Sequence, residues 1–235
     1  MPTILITGAN RGIGLNLTRV FASKGWSVFA CCRHPEMADN LNALAEGQDI
    51  KVFALDVSDF DAIDGLAKTL EGEAIDVLVN NAGMLGKVSF QEGASDQMFG
   101  AMDYGAWADV FRVNSMSPMK MAEAFIGQIM AGDRKTIVTL SSGMGSNSDK
   151  TGGVYAYRTS KAAVTRLMTT LAVDLEDKGI ASVALHPGWV RTDMGTDGAD
   201  ISVEESTDGL FKVISGLGLV DSGRFINYAG EDMPW

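Results

Sequence analysis

Short apolar runs, each followed by a segment with helical spacing, recur along the whole chain. The runs are PTILIT, WSVFACC, IKVFAL, IDVLV, TIVTL, IASVAL and finally RFINY. Most are rich in Val, Ile and Leu without polar alternation, which predicts strands buried on both faces. Helical spacing is expected over 12–24, 36–45, 58–70 (opened by Ser58 as cap), 104–131, 155–178 and 204–214. Strands alternating with helices of this length impose right-handed crossovers and a parallel sheet. No repeat, linker or low-complexity tract interrupts the series. The expectation is one α/β domain over residues 1–235: a doubly wound, mostly parallel seven-stranded sheet with helices on both faces and RFINY at an edge.

Composition narrows the function classes. The 19 Lys+Arg against 30 Asp+Glu give a net charge of −11, which disfavours nucleic acid and anionic membranes as partners. No apolar run is long enough to span a bilayer. Residues 1–7 have neither a basic region nor a cleavage site, so no signal peptide is expected. The only cysteines, Cys31 and Cys32, are adjacent on a predicted strand, point to opposite faces and read as buried thiols. His34 and His186 are far apart, and no metal-ligand spacing exists. A cytoplasmic, reducing setting follows as the default.

The segment Thr7-Gly8-Ala9-Asn10-Arg11-Gly12-Ile13-Gly14 follows the first strand and opens a helix. Glycines let a backbone turn sharply and approach a pyrophosphate, while the helix N-terminus offers unpaired N–H groups and positive dipole. The spacing is Gly-x3-Gly-x-Gly rather than the usual G-x-G-x-x-G, so a plain tight turn is the alternative. An acid that would hold a ribose 2′-OH is expected at the end of the second strand. Here Arg33 stands there, no carboxylate precedes Glu36, and Arg11 lies in the loop. Two guanidiniums and no acid favour a 2′-phosphate, hence NADP(H) over NAD(H).

Tyr157 and Lys161 lie four apart on a predicted helix, on one face. A phenol is too basic to exchange protons readily near neutrality. A nearby ammonium favours the phenolate, which makes such a Tyr a usable acid and base. Tyr155 is the rival, but it meets Thr159 rather than a Lys. Ser141 and Ser142 end the fifth strand, where a hydroxyl could bond a substrate oxygen or simply open a loop. Asn114 falls mid-helix, either to hold a water that relays protons to Lys161 or to brace a loop.

Taken in order, TGANRGIG, Asn80-Asn81-Ala82-Gly83, Asn114, Leu140-Ser141-Ser142, YRTSK and His186-Pro187-Gly188-Trp189-Val190-Arg191-Thr192 resemble the short-chain dehydrogenases/reductases over nearly the whole chain. The resemblance is strongest to the small carbonyl-reductase and C-factor-like branch. It implies a Rossmann-type fold, with Gly8, Gly12 and Gly14 along the cofactor phosphates and a backbone contact from Ile13. Asn10, Arg11 and Arg33 join this cofactor set. It implies Asp56 and Val57 at the adenine, and Asn81, Ala82 and Gly83 beside the adenosine ribose. Pro187, Gly188, Val190 and Thr192 would back the nicotinamide. It implies Tyr157 as acid/base, Lys161 holding the nicotinamide ribose and lowering the Tyr157 pKa, Ser142 on the substrate carbonyl, and Asn114 in the proton relay. Ser142 precedes Tyr157 by 15 positions, slightly more than is typical, which keeps Ser141 and Ser146 as rivals.

The expected activity is reversible, NADPH-dependent reduction of a ketone or aldehyde of small-molecule size. A dinucleotide-binding sensor or signalling protein of the same fold is the alternative. The stretch 193–207 corresponds to a short substrate loop, with Met84, Trp189, Met194 and the 90–99 stretch as apolar walls or as plain core. By analogy alone, a homodimer or homotetramer is expected.

Overall fold

A computed structural model describes all 235 residues. Its strands are β1 (Thr3–Thr7), β2 (Ser27–Cys32), β3 (Ile50–Ala54), β4 (Val77–Asn80), β5 (Thr136–Leu140), β6 (Ala181–His186) and β7 (Phe225–Asn227). They form one seven-stranded sheet in the order β3-β2-β1-β4-β5-β6-β7. Every pairing is parallel, a stricter outcome than the mostly parallel sheet expected. The helices are α1 (Gly12–Ser23), α2 (Asp39–Ala45), α3 (Phe60–Thr69), α4 (Tyr104–Phe111), α5 (Ser117–Ala124), α6 (Ile126–Ala131), α7 (Tyr155–Asp174) and α8 (Val203–Gly216).

Alternate strand residues divide the core into two layers. Ile4, Ile6, Ala30, Cys32, Val79 and Val183 face α1, α2 and α8, where they meet Leu17, Phe21, Leu41, Leu210 and Ile214. Leu5, Phe29, Cys31, Leu78 and Ile137 face the other side and meet Ile63 of α3, Met121 of α5, Ile129 of α6 and Met168 of α7. Period-2 side-chain direction therefore sends the free thiols Cys31 and Cys32 into different layers. Removing either layer would leave an apolar sheet face in water, which explains helices on both sides.

Three helix expectations are corrected. The helix expected over 104–131 is divided by a π-helical segment, Arg112–Met116, and again at Phe125. Pro118 near the start of α5 has no N–H, so it cannot continue the ladder to residue 114. The cap of α3 is Asp59, whose carboxylate accepts from the N–H groups of Asp61 and Ala62, because the Ser58 hydroxyl is taken by Asp56. Residues 36–45 split into a 3-10 turn, Pro35–Met37, and the shorter α2. The outer edge of β7 is covered by the C-terminal tail, where Met233 donates to the Phe225 carbonyl at 2.8 Å and Asp232 bridges Ile226. No helix is long and apolar enough to cross a membrane.

Candidate active site

The sheet order reverses between β1 and β4, and the glycine loop leaves the carboxyl end of β1 at that point. Gly8 and Gly12 take φ of +66° and +53°, a left-handed backbone that glycine adopts without strain. Gly14 has no room for a side chain, since an added Cβ would sit 2.2 Å from the Gly8 carbonyl oxygen. Asn81 locks the loop from β4 by donating through Nδ2 to the carbonyls of Thr7 (2.7 Å) and Gly8 (3.1 Å). The Thr7 hydroxyl accepts from the backbone N–H groups of Asn81 and Ala82. Asn81 and Ala82 thus brace the loop at the atoms placed here. The first turn of α1 carries no acid and its cap, Arg11, makes no side-chain cap bond. Its free N–H groups and dipole therefore suit a phosphate.

Asn10, Arg11 and Arg33 are exposed around this end of the sheet. Arg11 pairs with Asp193 at 3.0 Å in a solvent-exposed contact, not with a group of the glycine loop. Asp56 receives the backbone N–H and hydroxyl of Ser58 on one oxygen, and Val57 is buried beside it. The segment after β6 returns over the glycine loop: Thr192 Cγ2 lies 3.5 Å from the place a Gly12 Cβ would take. Pro187 accepts from the Ser206 hydroxyl at 2.6 Å, Gly188 has φ +88°, and Val190 bridges Ile201. Residues 187–192 are thus tied to Ser206 of α8 and to Ile201 just before it.

Tyr157 and Lys161 project from one face of α7 and are both buried. Lys161 Nζ lies 5.7 Å from the Tyr157 ring centroid and donates to the Leu140 carbonyl at 2.7 Å. Burial pulls the Lys161 ammonium down to about 8, which leaves it charged at neutrality. Burial pushes the Tyr157 phenol above its ordinary value, and the Ser142 hydroxyl acts in the opposite sense. Desolvation is the larger of these two causes. Tyr155, the rival phenol, points outward and is 38% exposed.

The serines separate by role. Ser141 is turned to the backbone of α7, bonding the Lys161 carbonyl at 3.1 Å and the Thr165 hydroxyl. Ser146 bonds Ser148. Ser142 alone among the three stands against Tyr157. Asn114 lies in the π-helical segment. Its Oδ1 accepts from Met84 N–H at 2.9 Å, and its Nδ2 donates to the Met84 carbonyl and to Ser160 Oγ. Gly83 lies between these groups, since a Cβ there would sit 3.3 Å from Asn114 Oδ1 and 3.6 Å from Lys161 Nζ.

Sequence reasoning missed three contributors. Gln97 is fully buried and accepts from the Tyr157 backbone N–H at 2.8 Å. Ser160 links Asn114 to the Tyr157 carbonyl. His186 accepts from the Gly143 N–H at 3.3 Å, and burial lowers it to about 4. Ser160 and His186 carried a signal, their places inside YRTSK and the His186–Thr192 motif; Gln97 carried none.

Known proteins share this fold. The sequence model of the short chain dehydrogenase family matches residues 2–200. The C-signal protein of Myxococcus xanthus is 38% identical over 162 residues, covering 68% of this chain and 93% of that protein. The carbonyl reductase Sniffer of D. melanogaster superposes with a TM-score of 0.92 at 35% identity over 100% of both chains. The NADPH-bound carbonyl reductase from chicken fatty liver superposes at 0.89 with 32% identity, over 100% of this chain and 99% of that one. From its glycine cradle to its buried Tyr-Lys pair, the chain belongs to the short-chain dehydrogenase/reductase family.

Proposed function

We propose that this oxidoreductase reduces a ketone or aldehyde carbonyl to an alcohol with NADPH, with Tyr157 as the proton donor. The observation that carries the proposal is Tyr157 buried beside Ser142, one turn from the Lys161 ammonium. The glycine cradle fits a dinucleotide. Gly14 leaves no space for a Cβ, and the acid-free N-terminus of α1 would receive the phosphates. Arg33, exposed just beyond β2, would meet a 2′-phosphate; Arg11 would join it on leaving Asp193. Exposed ion pairs of this kind cost little to break. Asp56 and Val57 would border the adenine, and Pro187, Gly188, Val190 and Thr192 the nicotinamide.

When bound, the dihydronicotinamide supplies the hydride. A phenol held above its ordinary pKa stays protonated, which is the form that donates to a developing alkoxide. The Ser142 hydroxyl orients the carbonyl oxygen toward Tyr157. The Lys161 ammonium stabilises the phenolate left behind, and the Leu140 carbonyl keeps Nζ in place. Asn114 holds Met84 and Ser160, and so fixes the frame around Lys161.

A cytoplasmic, homo-oligomeric enzyme acting on a small molecule completes the proposal. The test is NADPH and NADH oxidation across a panel of aldehydes, ketones and diketones, repeated with Arg33→Ala. Turnover with NADPH that weakens selectively in Arg33→Ala is expected. Unchanged NADPH affinity in that variant would sink the cofactor preference. The likeness to the C-signal protein favours a signalling role as second reading; nucleotide binding without turnover on any carbonyl would decide for it.

A further inference from the structure

In the segment between β4 and α4, Gln97 is a buried side chain that hydrogen-bonds to the first turn of α7. Gln97 spans two backbones with the two ends of its amide. Oε1 accepts from the Tyr157 N–H at 2.8 Å, and Nε2 donates to the Leu85 carbonyl at 2.8 Å. Tyr157 is the third residue of α7, so its N–H has no acceptor within the helix. Gly86 is side-chain-free where Gln97 passes, since a Cβ there would sit 2.4 Å from Nε2.

These bonds close a ring. Leu85 follows Met84, which Asn114 grips by both its N–H and its carbonyl. Asn114 Nδ2 also donates to Ser160 Oγ at 3.0 Å, and Ser160 Oγ donates to the Tyr157 carbonyl at 2.7 Å. The Tyr157 peptide is thereby held from both sides, by Gln97 at its N–H and by Ser160 at its carbonyl. The backbone just before it is strained: Val154, β-branched, sits at φ +50°. Val154, Leu85, Ala94 and Tyr157 form a small apolar cluster that holds this turn down.

We infer that Gln97 is a positioning residue for Tyr157: it caps the start of α7 and seats the phenol by closing a buried hydrogen-bonded ring through Leu85, Met84, Asn114 and Ser160. The inference rests on the carbonyl-reductase reading for its effect on turnover, and on geometry alone for its effect on the phenol. Loss of the amide frees the first turn of α7, wets the phenol and moves it off the line to Ser142.

The test uses Gln97→Met, which keeps length and loses both bonds, and Gln97→Glu, which keeps the acceptor facing Tyr157. Tyrosines labelled at the ring carbon bearing the hydroxyl are titrated by NMR, with Tyr157→Phe identifying the resonance. Burial raises the phenol, so Gln97→Met should titrate at lower pH than wild type. Its kcat should fall by about 10- to 100-fold, with nucleotide affinity within twofold and Gln97→Glu between the two. An unchanged phenol titration with unchanged kcat would overturn the inference. So would a loss of kcat that only tracks lost folding or lost nucleotide affinity. If wild type reduces nothing in the panel, the carbonyl reading falls, yet the phenol titration still judges Gln97.

Discussion

Gly14→Ala places a single methyl where the site has no space for one. The added Cβ would lie 2.2 Å from the Gly8 carbonyl oxygen and 2.5 Å from Asn81 Nδ2. Comfortable non-bonded separations are about 3.5 Å, so loop and helix must part by about 1 Å. Overpacking of this size costs about 1–3 kcal/mol, and the better helix propensity of Ala returns at most about 1 kcal/mol. With the full propensity return the net loss is about 0–2 kcal/mol, which lowers the Tm by up to roughly 8 °C in a chain of this length. The parting also breaks the 3.1 Å bond from Asn81 to Gly8, so the cradle opens and nucleotide affinity falls by about tenfold or more. Gly65 in α3 is the control, because a Cβ there meets nothing within 4 Å. Gly65→Ala should instead gain about 0.5–1 kcal/mol. Thermal unfolding and titration of NADPH fluorescence measure both effects. A Gly14→Ala protein with wild-type Tm and wild-type NADPH affinity would refute the close approach of α1 to the loop, and with it the phosphate cradle.

Two other perturbations separate neighbouring groups. Ser142→Ala should lower kcat by about 10²-fold. Ser141→Ala should keep most turnover and lose about 1–2 kcal/mol of stability, because that hydroxyl serves the α7 backbone; initial rates and urea unfolding distinguish them. His186, lowered from 6.5 to about 4 by burial, stays neutral in the fold while the unfolded chain protonates. Its contribution is complete above 6.5 and is lost as pH falls toward 4. About 2 kcal/mol should disappear between pH 7 and pH 5, and urea unfolding of His186→Asn should show a flatter slope across that interval.

The sheet was legible in sequence because most of its strands are buried on both faces and read as short apolar runs, β3 being the exposed exception; TIVTL coincides with β5 residue for residue. The glycine cradle and the Tyr157–Lys161 face were legible because both depend on spacing within one element. Contacts between elements were not. Asp59 displaced Ser58 as the α3 cap only because Asp56 already engages Ser58. Pro118 marked a weak point in the helix over 104–131, but the π-helical form that turns Asn114 toward Met84 and Ser160 depends on packing against α7. Gln97 sits in an irregular stretch whose partners are decided wholly by tertiary structure.

Transient kinetics of Tyr157→Phe with NADPH and a carbonyl reduced by the wild-type protein address the proton donor itself. Removing one oxygen should slow the chemical step by about 10²–10⁴-fold while the NADPH dissociation constant stays within twofold. A Phe variant that reduces the carbonyl at the wild-type rate would show that the proton comes from elsewhere.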